Sequence, residues 1–419
     1  MSHRFVVRAA LAVAASLSAL TVHAQLGFEQ ALQAAEQRSA QLVAQGSAAA
    51  AAREMAVAAG QRPDPMLTGG VQNLPIDGPD RFSLGRDFMT MRSIGLMQQY
   101  TRKDKLEARA TRFEHEARLA EAGRDVALAA LRTGAAAAWL SLYWNERLRE
   151  RLVAHRDEAR LQIDAAEAAQ RGGRGPQADV FAARSAVAQI EDLIEQALAQ
   201  VENARTTLAR WVGEDAARQP LGAPPPMDAV RLDLAGIDRE WTHHPQIALL
   251  AKQEDVARAE AALARANLRS DWNAEVMVSK RGSQFSNMLS LNFSIPLQLD
   301  QANRQQRELA SSLAKVEQLR AEREETTRAH LADARAMLQE WQSQRERLRR
   351  YDESLTPLAA QRTQAALAAY RGANGAALGD VLAARRAEIE TALERTRLEM
   401  QTARLWSQLE YLIPEGDHR

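Results

Sequence analysis

The sequence predicts a mostly α-helical protein with a small β part, built from two similar halves. Three observations predict this fold. A glycine-rich turn occurs twice, two proline-poor stretches of about 70 residues precede these turns, and two pairs of short period-two segments lie between helical stretches. We therefore expect duplicated long helical hairpins with four strands per chain.

The two turns establish the duplication. Each is followed by the pattern D-V-x-A-A-R, which opens a helix. The turns match at an offset of 200 residues and the patterns at 201, so one residue separates the two copies in length. A repeat of this size indicates an internal duplication. The matched turn residues are Arg171, Gly172 and Gly175 in the first copy and Arg371, Gly372 and Gly375 in the second.

Composition argues against several functional classes. Lys+Arg and Asp+Glu are both 54, so the net charge is zero and no basic excess points to nucleic acid. The chain has no cysteine, which removes disulfides, a cysteine nucleophile and a lipid anchored at an N-terminal cysteine. It has no G-x-S-x-G motif, no phosphate-binding loop and no histidines at metal-ligand spacing. We expect no enzyme activity, no cofactor and no resident metal.

Residues 1–24 predict a secretory signal peptide. Arg4 and Arg8 precede an apolar run, and Ala24 fits a small-residue cleavage site. A buried core helix is the alternative. The mature chain would start near Gln25, outside the cytoplasm.

The first repeat is expected to span residues 25–213. Its long helix would reach about 105 Å, more than a globular domain of this size needs. The return helix has an unbroken four-three spacing of apolar residues from Val180 to Trp211, typical of a coiled-coil seam. A similar seam is predicted in the long helix at Val126, Ala130, Thr133, Ala137, Leu140 and Trp144. The predicted elements are a helix at 28–60, strands at 66–73 and 93–100, the long helix at 101–170 and the return helix at 178–212.

A proline-rich linker, residues 214–242, separates the repeats. The second repeat is expected at 243–413, with a tail at 414–419 and a bend of its long helix near Pro357. His243 and His244 are adjacent and precede a proline, so a helix-start role is favoured over metal binding. The predicted elements are a helix at 244–268, strands at 273–280 and 288–295, the long helix at 300–370 and the return helix at 378–412.

Four strands are too few to close a barrel, and their edges would be exposed. Three copies supply twelve strands, an even number adequate for a transmembrane barrel, so we expect a homotrimer. Aromatic residues at the strand ends fit the interfacial girdles of such barrels, with scattered core aromatics as the alternative. These residues are Phe82, Phe88, Tyr100, Trp272, Phe285 and Phe293.

The order of elements, the sequence RPDPML after the first helix, HPQI at the second repeat and the paired turns together resemble the TolC-like outer-membrane efflux protein family. The resemblance implies a trimeric, twelve-stranded barrel in the outer membrane of a Gram-negative bacterium. It also implies a periplasmic α-helical tunnel that docks on a periplasmic adaptor protein and an inner-membrane pump, driven by protons. The chain would be a passive exit duct in contact with outer-membrane lipid.

The short length and the segment NLPIDGPDRFSLGRDFMTMRSIGLMQ resemble the heavy-metal branch of this family. Export of metal cations and export of organic compounds both stay open. Met89, Met91 and Met97 suggest a soft-metal ladder, but barrel packing is the favoured interpretation. Two features differ from many members of this family. Their Gly-Lys-Arg-like stretch is replaced here by QQYTRKDKLEAR, and this chain has no cysteine that could be lipidated.

The candidate functional residues lie at the turns. Asp179 and Asp380 each begin a return helix, where a carboxylate complements the helix dipole. In the resembling family, acidic residues after the second turn line the periplasmic constriction, and Asp380 matches that position, whereas Ala383 replaces a second acid. A ring of Asp380 carboxylates would favour cations. Tyr370, Arg371 and Arg385 are predicted to complete this gate, with the arginines pairing with acids of a neighbouring helix. The expected adaptor-docking turns comprise Arg171, Gly172, Gly175, Asp179, Gly372 and Gly375.

Two other functions remain open from the sequence. A periplasmic adaptor also has helical hairpins, but it needs one hairpin and a large β-rich remainder. A soluble coiled-coil protein would explain the four-three spacing of apolar residues, but it would give the predicted strands no function.

Overall fold

The structure, a computed structural model, contains long helices and a four-stranded antiparallel sheet. These elements confirm the predicted fold class of long helical hairpins with a small β part. The described residues are 25–173, 175–232, 244–372 and 377–413. Among the predicted features, the signal peptide, His243, Gly375 and the tail at 414–419 lie outside these residues.

The elements of the described residues follow the predicted order along the chain. The helices are α1 (Phe28–Arg38), α2 (Ala40–Ala59), α3 (Lys103–Arg171), α4 (Gln177–Val212), α5 (Glu214–Ala217), α6 (Pro245–Ala266), α7 (Gln305–Arg350), α8 (Thr356–Arg371) and α9 (Leu378–Glu410). The strands are β1 (Met66–Gln72), β2 (Met91–Tyr100), β3 (Trp272–Lys280) and β4 (Met288–Ser294).

The chain forms two compact units, and each unit contains parts of both sequence repeats. The first comprises residues 25–39, 128–232 and 332–413. The second comprises residues 40–127 and 244–331. The boundaries of the compact units therefore differ from the boundary between the sequence repeats, because each half of the sequence contributes to both units.

The second unit contains the sheet, with strand order β1-β2-β3-β4. The central pairing joins the two repeats, since β2 lies antiparallel to β3 with Tyr100 opposite Trp272. The outer strands β1 and β4 each have one neighbour among the described strands. The sheet therefore presents two edges.

The core of the first unit forms around Phe28 at the start of α1. Its ring lies 5.5 Å from that of Trp139 on α3 and 6.0 Å from that of Trp406 on α9. The indole of Trp139 donates a hydrogen bond to the carbonyl of Leu26 (3.1 Å). Leu26 N–H in turn donates to the carbonyl of Pro220 (2.8 Å). This hydrogen bond attaches the proline-rich linker at Pro220 to the segment that enters the core.

The seam of α4 is buried as its spacing predicts, from Val180 to Leu208. The seam predicted for the long helix is confirmed at Leu140, which is buried, and is wrong at Ala130. Ala130 is exposed, whereas Leu131, Ala135 and Ala138 are buried. This part of α3 is rich in alanine on all sides, so a four-three pattern can be drawn through it in more than one phase.

The helical stretches break where the sequence did not indicate it. Ser39, with ψ of 103°, separates α1 from α2. The second long helix is interrupted by a π-helical turn, Tyr351–Leu355, directly before α8. Pro357 is the cause, because its ring displaces the carbonyl of the preceding turn and it has no N–H to donate. The predicted bend is therefore a widened turn on the N-terminal side of the proline.

One described helix, α3, is long and apolar enough to cross a membrane, with a mean hydropathy of 1.3 in its most apolar 18-residue window. Of this window, 44% is buried inside the protein. Its alanines and leucines account for that apolar character.

Candidate functional site

The two turns are closed by equivalent hydrogen bonds. Gly172 N–H donates to the carbonyl of Ala168 (3.0 Å), and Gly372 N–H donates to that of Ala368 (2.9 Å). Gly173, which the sequence analysis did not single out, has a φ of +66° and supplies the left-handed residue of the first turn. Arg171 and Arg371 are the last residues of α3 and α8, and both are exposed.

Asp179 and Asp380 occupy the same position in their helices, the third residue of α4 and of α9. The backbone N–H of each donates to the carbonyl of its N-cap residue, Pro176 or Ala377, at 3.1 Å. Their carboxylates make no hydrogen bond or ion pair with any residue that the structure describes. Asp380 is exposed and Asp179 is half-buried. Both carboxylates complement the helix dipole, and Asp380 also faces solvent.

An apolar cluster next to the turns, here called the tip cluster, joins the two hairpins. Tyr370 of α8 packs against it and is half-buried. The structure therefore brings Tyr370 next to the start of α9, while Asp380 points away from the buried residues on either side of it. The buried members of the tip cluster are Ala166, Val180, Ala183, Leu378 and Val381.

Arg385 links the second hairpin to the first. Its side chain is 14% exposed, and Nη1 lies 2.6 Å from Glu158 Oε2 on α3 and 2.9 Å from Glu388 Oε2 on its own helix. Burial is the main cause of the lowered pKa of the neighbouring His155. The negative charge of Glu388 acts in the opposite direction and raises this pKa. Arg385 was predicted to pair with an acid of a neighbouring helix, and Glu158 is that acid within the chain.

A second group of charges joins the hairpins farther along α9. Arg151 of α3 donates to the hydroxyl of Thr396 (2.8 Å) and lies 3.6 Å from Glu399 Oε2. Arg395 contacts Glu399 Oε1 (2.7 Å) and Asp352 of the π-helical turn (2.6 Å). Burial raises the pKa of Glu399, and the two arginines oppose this. Sequence reasoning missed this group; its one signal was a threonine at position 396 of an apolar seam.

The sheet has one apolar and one polar face. Residues alternate along each strand, and the register aligns the apolar positions of neighbouring strands, such as Leu96 opposite Val276. These side chains are about half exposed or more, whereas apolar side chains on a sheet normally pack against a core. The apolar face includes Leu67, Val71, Ile94, Leu96, Val276, Val278, Leu289, Leu291 and Phe293. The polar face includes Thr68, Gln72, Ser93, Gln99, Asn273, Glu275, Ser279, Ser290 and Asn292.

Three predicted girdle aromatics meet at one end of the apolar face. Tyr100 stacks on Trp272 with ring centroids 4.2 Å apart, and Phe293 lies 6.4 Å from Trp272. Phe82 and Phe88, in the loop between β1 and β2 at the other end, are more than half exposed. From Arg92 to Tyr100 the strand rises about 27 Å, close to the apolar band of about 25 Å in outer-membrane barrels.

Within the described ranges, no group of three or more His, Cys, Asp or Glu side chains is placed to hold a metal ion. His244 is the N-cap of α6, and its Nδ1 accepts a hydrogen bond from Gln246 N–H at 3.2 Å. Its ring contacts His330 edge-on at 5.3 Å. This histidine therefore begins a helix.

Solved structures with the same fold are outer-membrane proteins. VceC of Vibrio cholerae, an outer-membrane protein, is 17% identical with a TM-score of 0.74, covering 92% of this chain and 95% of its own. CmeC, an outer-membrane channel of Campylobacter jejuni, is 11% identical with a TM-score of 0.75 and coverages of 92% and 85%. CusC, which forms a transmembrane channel, is 16% identical with a TM-score of 0.73 and coverages of 92% and 91%.

The chain has the fold of these outer-membrane channels. No protein-family model and no curated protein matches the sequence. The likeness to the channel fold extends over 92% of this chain. The TM-scores of 0.73–0.75 establish this fold, whereas sequence identities of 11–17% do not by themselves establish a function.

Proposed function

We propose that this protein is an outer-membrane channel, the passive exit duct of a tripartite efflux system in a Gram-negative bacterium. The observation that carries the proposal is the sheet. One of its faces is apolar and exposed, the other is polar, and both of its edges lack a described partner strand. Lipid would cover the apolar face, and neighbouring copies would cover the edges.

The assembly is proposed to be a homotrimer. Three four-stranded sheets would close a twelve-stranded barrel with its apolar face toward lipid and its polar face toward the lumen. The aromatic cluster around Trp272 would then lie at one membrane interface and the loop of Phe82 and Phe88 at the other. A soluble adaptor or a structural coiled coil would leave the apolar face in water, which argues against both alternatives.

The turns at Gly172 and Gly372 are proposed to dock on a periplasmic adaptor, and a proton-driven inner-membrane pump would supply the energy. Asp380, Tyr370, Arg371 and Arg385 are the proposed gate. Three exposed Asp380 carboxylates around a three-fold axis would attract cations into a narrow opening. Heavy-metal cations are the proposed substrate class, with organic compounds as the alternative.

Cell fractionation tests the channel. We expect the full-length protein in the outer membrane, extracted only by detergent, with the mass of three chains in detergent solution. Cross-linking through cysteines introduced at turn positions 172 and 372 should recover an adaptor. A soluble periplasmic monomer would contradict the proposal.

A further inference from the structure

Three polar side chains of α3 line its contact with α9. They lie at positions 151, 155 and 158, and this four-three spacing places them on one face of the helix. Arg151 donates to the hydroxyl of Thr396 (2.8 Å), and Glu158 lies 2.6 Å from Arg385 Nη1. Positions rise along α3 as they fall along α9, so the helices run antiparallel. His155 therefore lies between two polar contacts that join the helices.

His155 itself faces apolar side chains of α9. With Arg151 it borders a void that is too narrow to admit a water molecule. Its Nδ1 is buried and makes no hydrogen bond to any residue that the structure describes. The place suits a neutral imidazole and offers a protonated one no acceptor at Nδ1. The apolar residues that line the void are Leu148, Leu152, Ile389, Ala392 and Leu393.

The charged groups that act on His155 are two arginines and two glutamates. Arg151 and Glu158 are on α3, and Arg385 and Glu388 are on α9. Helix α4 also packs against this part of α3, and it contributes apolar side chains to the shared core. The arginines disfavour protonation and the glutamates favour it. Burial is the largest effect, and it lowers the pKa of His155 below the ordinary histidine value of 6.5.

Arg385 is incompletely paired in the same contact. Its Nη1 contacts Glu158 and Glu388, whereas its Nε is buried and makes no hydrogen bond to a described residue. Protonation of His155 would place a second cation beside the same two carboxylates. It would therefore weaken the ion pair through which Arg385 holds α9 to α3.

We propose that His155 is an acid-sensitive switch, whose protonation separates α9 from α3 near the turns. The consequence of this separation rests on the proposed function, because in a channel it would open the tunnel mouth at acidic pH. Separated helices expose the imidazole to water, where its pKa is about 6.5. The contact is therefore fully stable above that pH and weakens as pH falls below it, by at most about tenfold per pH unit for each histidine.

A distance measurement between the two helices tests the switch. The chain has no cysteine, so spin labels can be attached to Leu161→Cys on α3 and Ala383→Cys on α9, both exposed positions. Electron paramagnetic resonance on the full-length protein in detergent, diluted with unlabelled chains, gives the distance within one chain. We expect it to increase by several Å between about pH 7.5 and about pH 5.5, on either side of the usual histidine pKa. Circular dichroism should stay constant, which excludes general unfolding. Equal distances at both pH values would overturn the proposal.

His155→Gln should keep the short distance at both pH values, because glutamine does not titrate. His115→Gln is the matched control. His115 is on the same helix and its Nδ1 also has no described partner, but it belongs to the second compact unit, away from α9. This variant should respond to acid as the unmodified protein does. An acid response that persists in His155→Gln would contradict the proposal.

His155→Leu provides a second test if His155→Gln fails to fold. Leucine suits the apolar void, and this variant should likewise show no acid response. A full response in it would assign the separation to other groups and overturn the switch.

The two proposals fail separately. An outer-membrane trimer whose helix distance is independent of pH removes the switch and leaves the channel. A soluble monomer whose helices separate on acidification removes the channel and leaves the switch.

Discussion

Arg385 reaches from the second hairpin to Glu158 on the first, with 2.6 Å between Nη1 and Oε2. Arg385 is mostly buried, whereas Glu158 is about half exposed. The arginine therefore depends on its partners more than the glutamate does, because a buried charge without a partner is costly. In the proposed channel, the pair connects two helices whose relative movement would open or close the tunnel mouth.

Arg385→Gln should raise the resting conductance of the protein in planar bilayers severalfold, because it releases α9 from α3. Glu158→Gln should have a smaller effect, since Arg385 keeps Glu388 as a partner. A double-mutant cycle should give a coupling of about 1 kcal/mol, typical of a partly exposed pair. Arg386→Gln is the matched control, because Arg386 is exposed and pairs with Glu390 on its own helix. Equal conductance in the Arg385 and Arg386 variants would exclude a role in closure.

Asp380→Asn should reduce the cation preference expected of the proposed channel, measured as the reversal potential across a salt gradient. The reason is that a ring of three carboxylates would lose its charge. Asp179→Asn is the control, because Asp179 occupies the same helical position in the other hairpin. Unchanged selectivity in Asp380→Asn would leave this aspartate as a residue that complements the dipole of α9.

Val276→Lys should block membrane insertion, because Val276 lies on the apolar face opposite Leu96. A lysine near the middle of a bilayer costs about 2–4 kcal/mol in barrel proteins. Ser290→Lys, on the polar face, is expected to insert normally. The amount of each variant in the outer-membrane fraction checks the prediction, and equal insertion would contradict the assignment of the faces.

Gly95→Ala should lower the temperature at which the oligomer dissociates by several degrees. The new Cβ would come within 2.8 Å of Thr68 Oγ1 and 3.0 Å of the carbonyl of Val276, so the strands must shift. Overpacking of this kind costs about 1–3 kcal/mol. Gly70→Ala on the neighbouring strand meets nothing within 4 Å and should be neutral. Thermal melting of both variants provides the comparison.

Acidification should destabilise the protein through His244. Burial and the nearby His330 lower the pKa of His244 to about 4. The unfolded chain, with a histidine pKa of about 6.5, binds the proton more readily, so stability is complete above that pH and falls as pH decreases toward 4. Protonation would also remove the Nδ1 acceptor that caps α6. His244→Asn keeps a capping side chain and should flatten this part of the stability profile, whereas an unchanged profile would assign it to other groups.

The fold could be predicted from the sequence where large apolar residues fit the four-three spacing of a helix in only one phase. The seam of α4 could be predicted from the sequence because Val, Ile or Leu occupies six of its nine buried positions from Val180 to Leu208. The seam of α3 could not, since alanine is compatible with burial and with exposure. The π-helical turn was also beyond the sequence pattern, because Pro357 indicates a disruption but not its form.

The sequence predicted the type of interaction at the candidate site but not the residues that take part in it. The sequence indicated that Arg385 would pair with an acid, but Glu158 is far away along the chain and resembles any other surface glutamate.

The composition of the two compact units has an evolutionary consequence. Each unit draws on both halves of the chain, with β2 from the first repeat paired to β3 from the second. An ancestor with a single repeat could therefore not have completed either unit alone. Two such polypeptides would have to associate to supply the contacts that the duplicated chain makes within one subunit. The assembly proposed as a trimer would then need six copies of a single repeat.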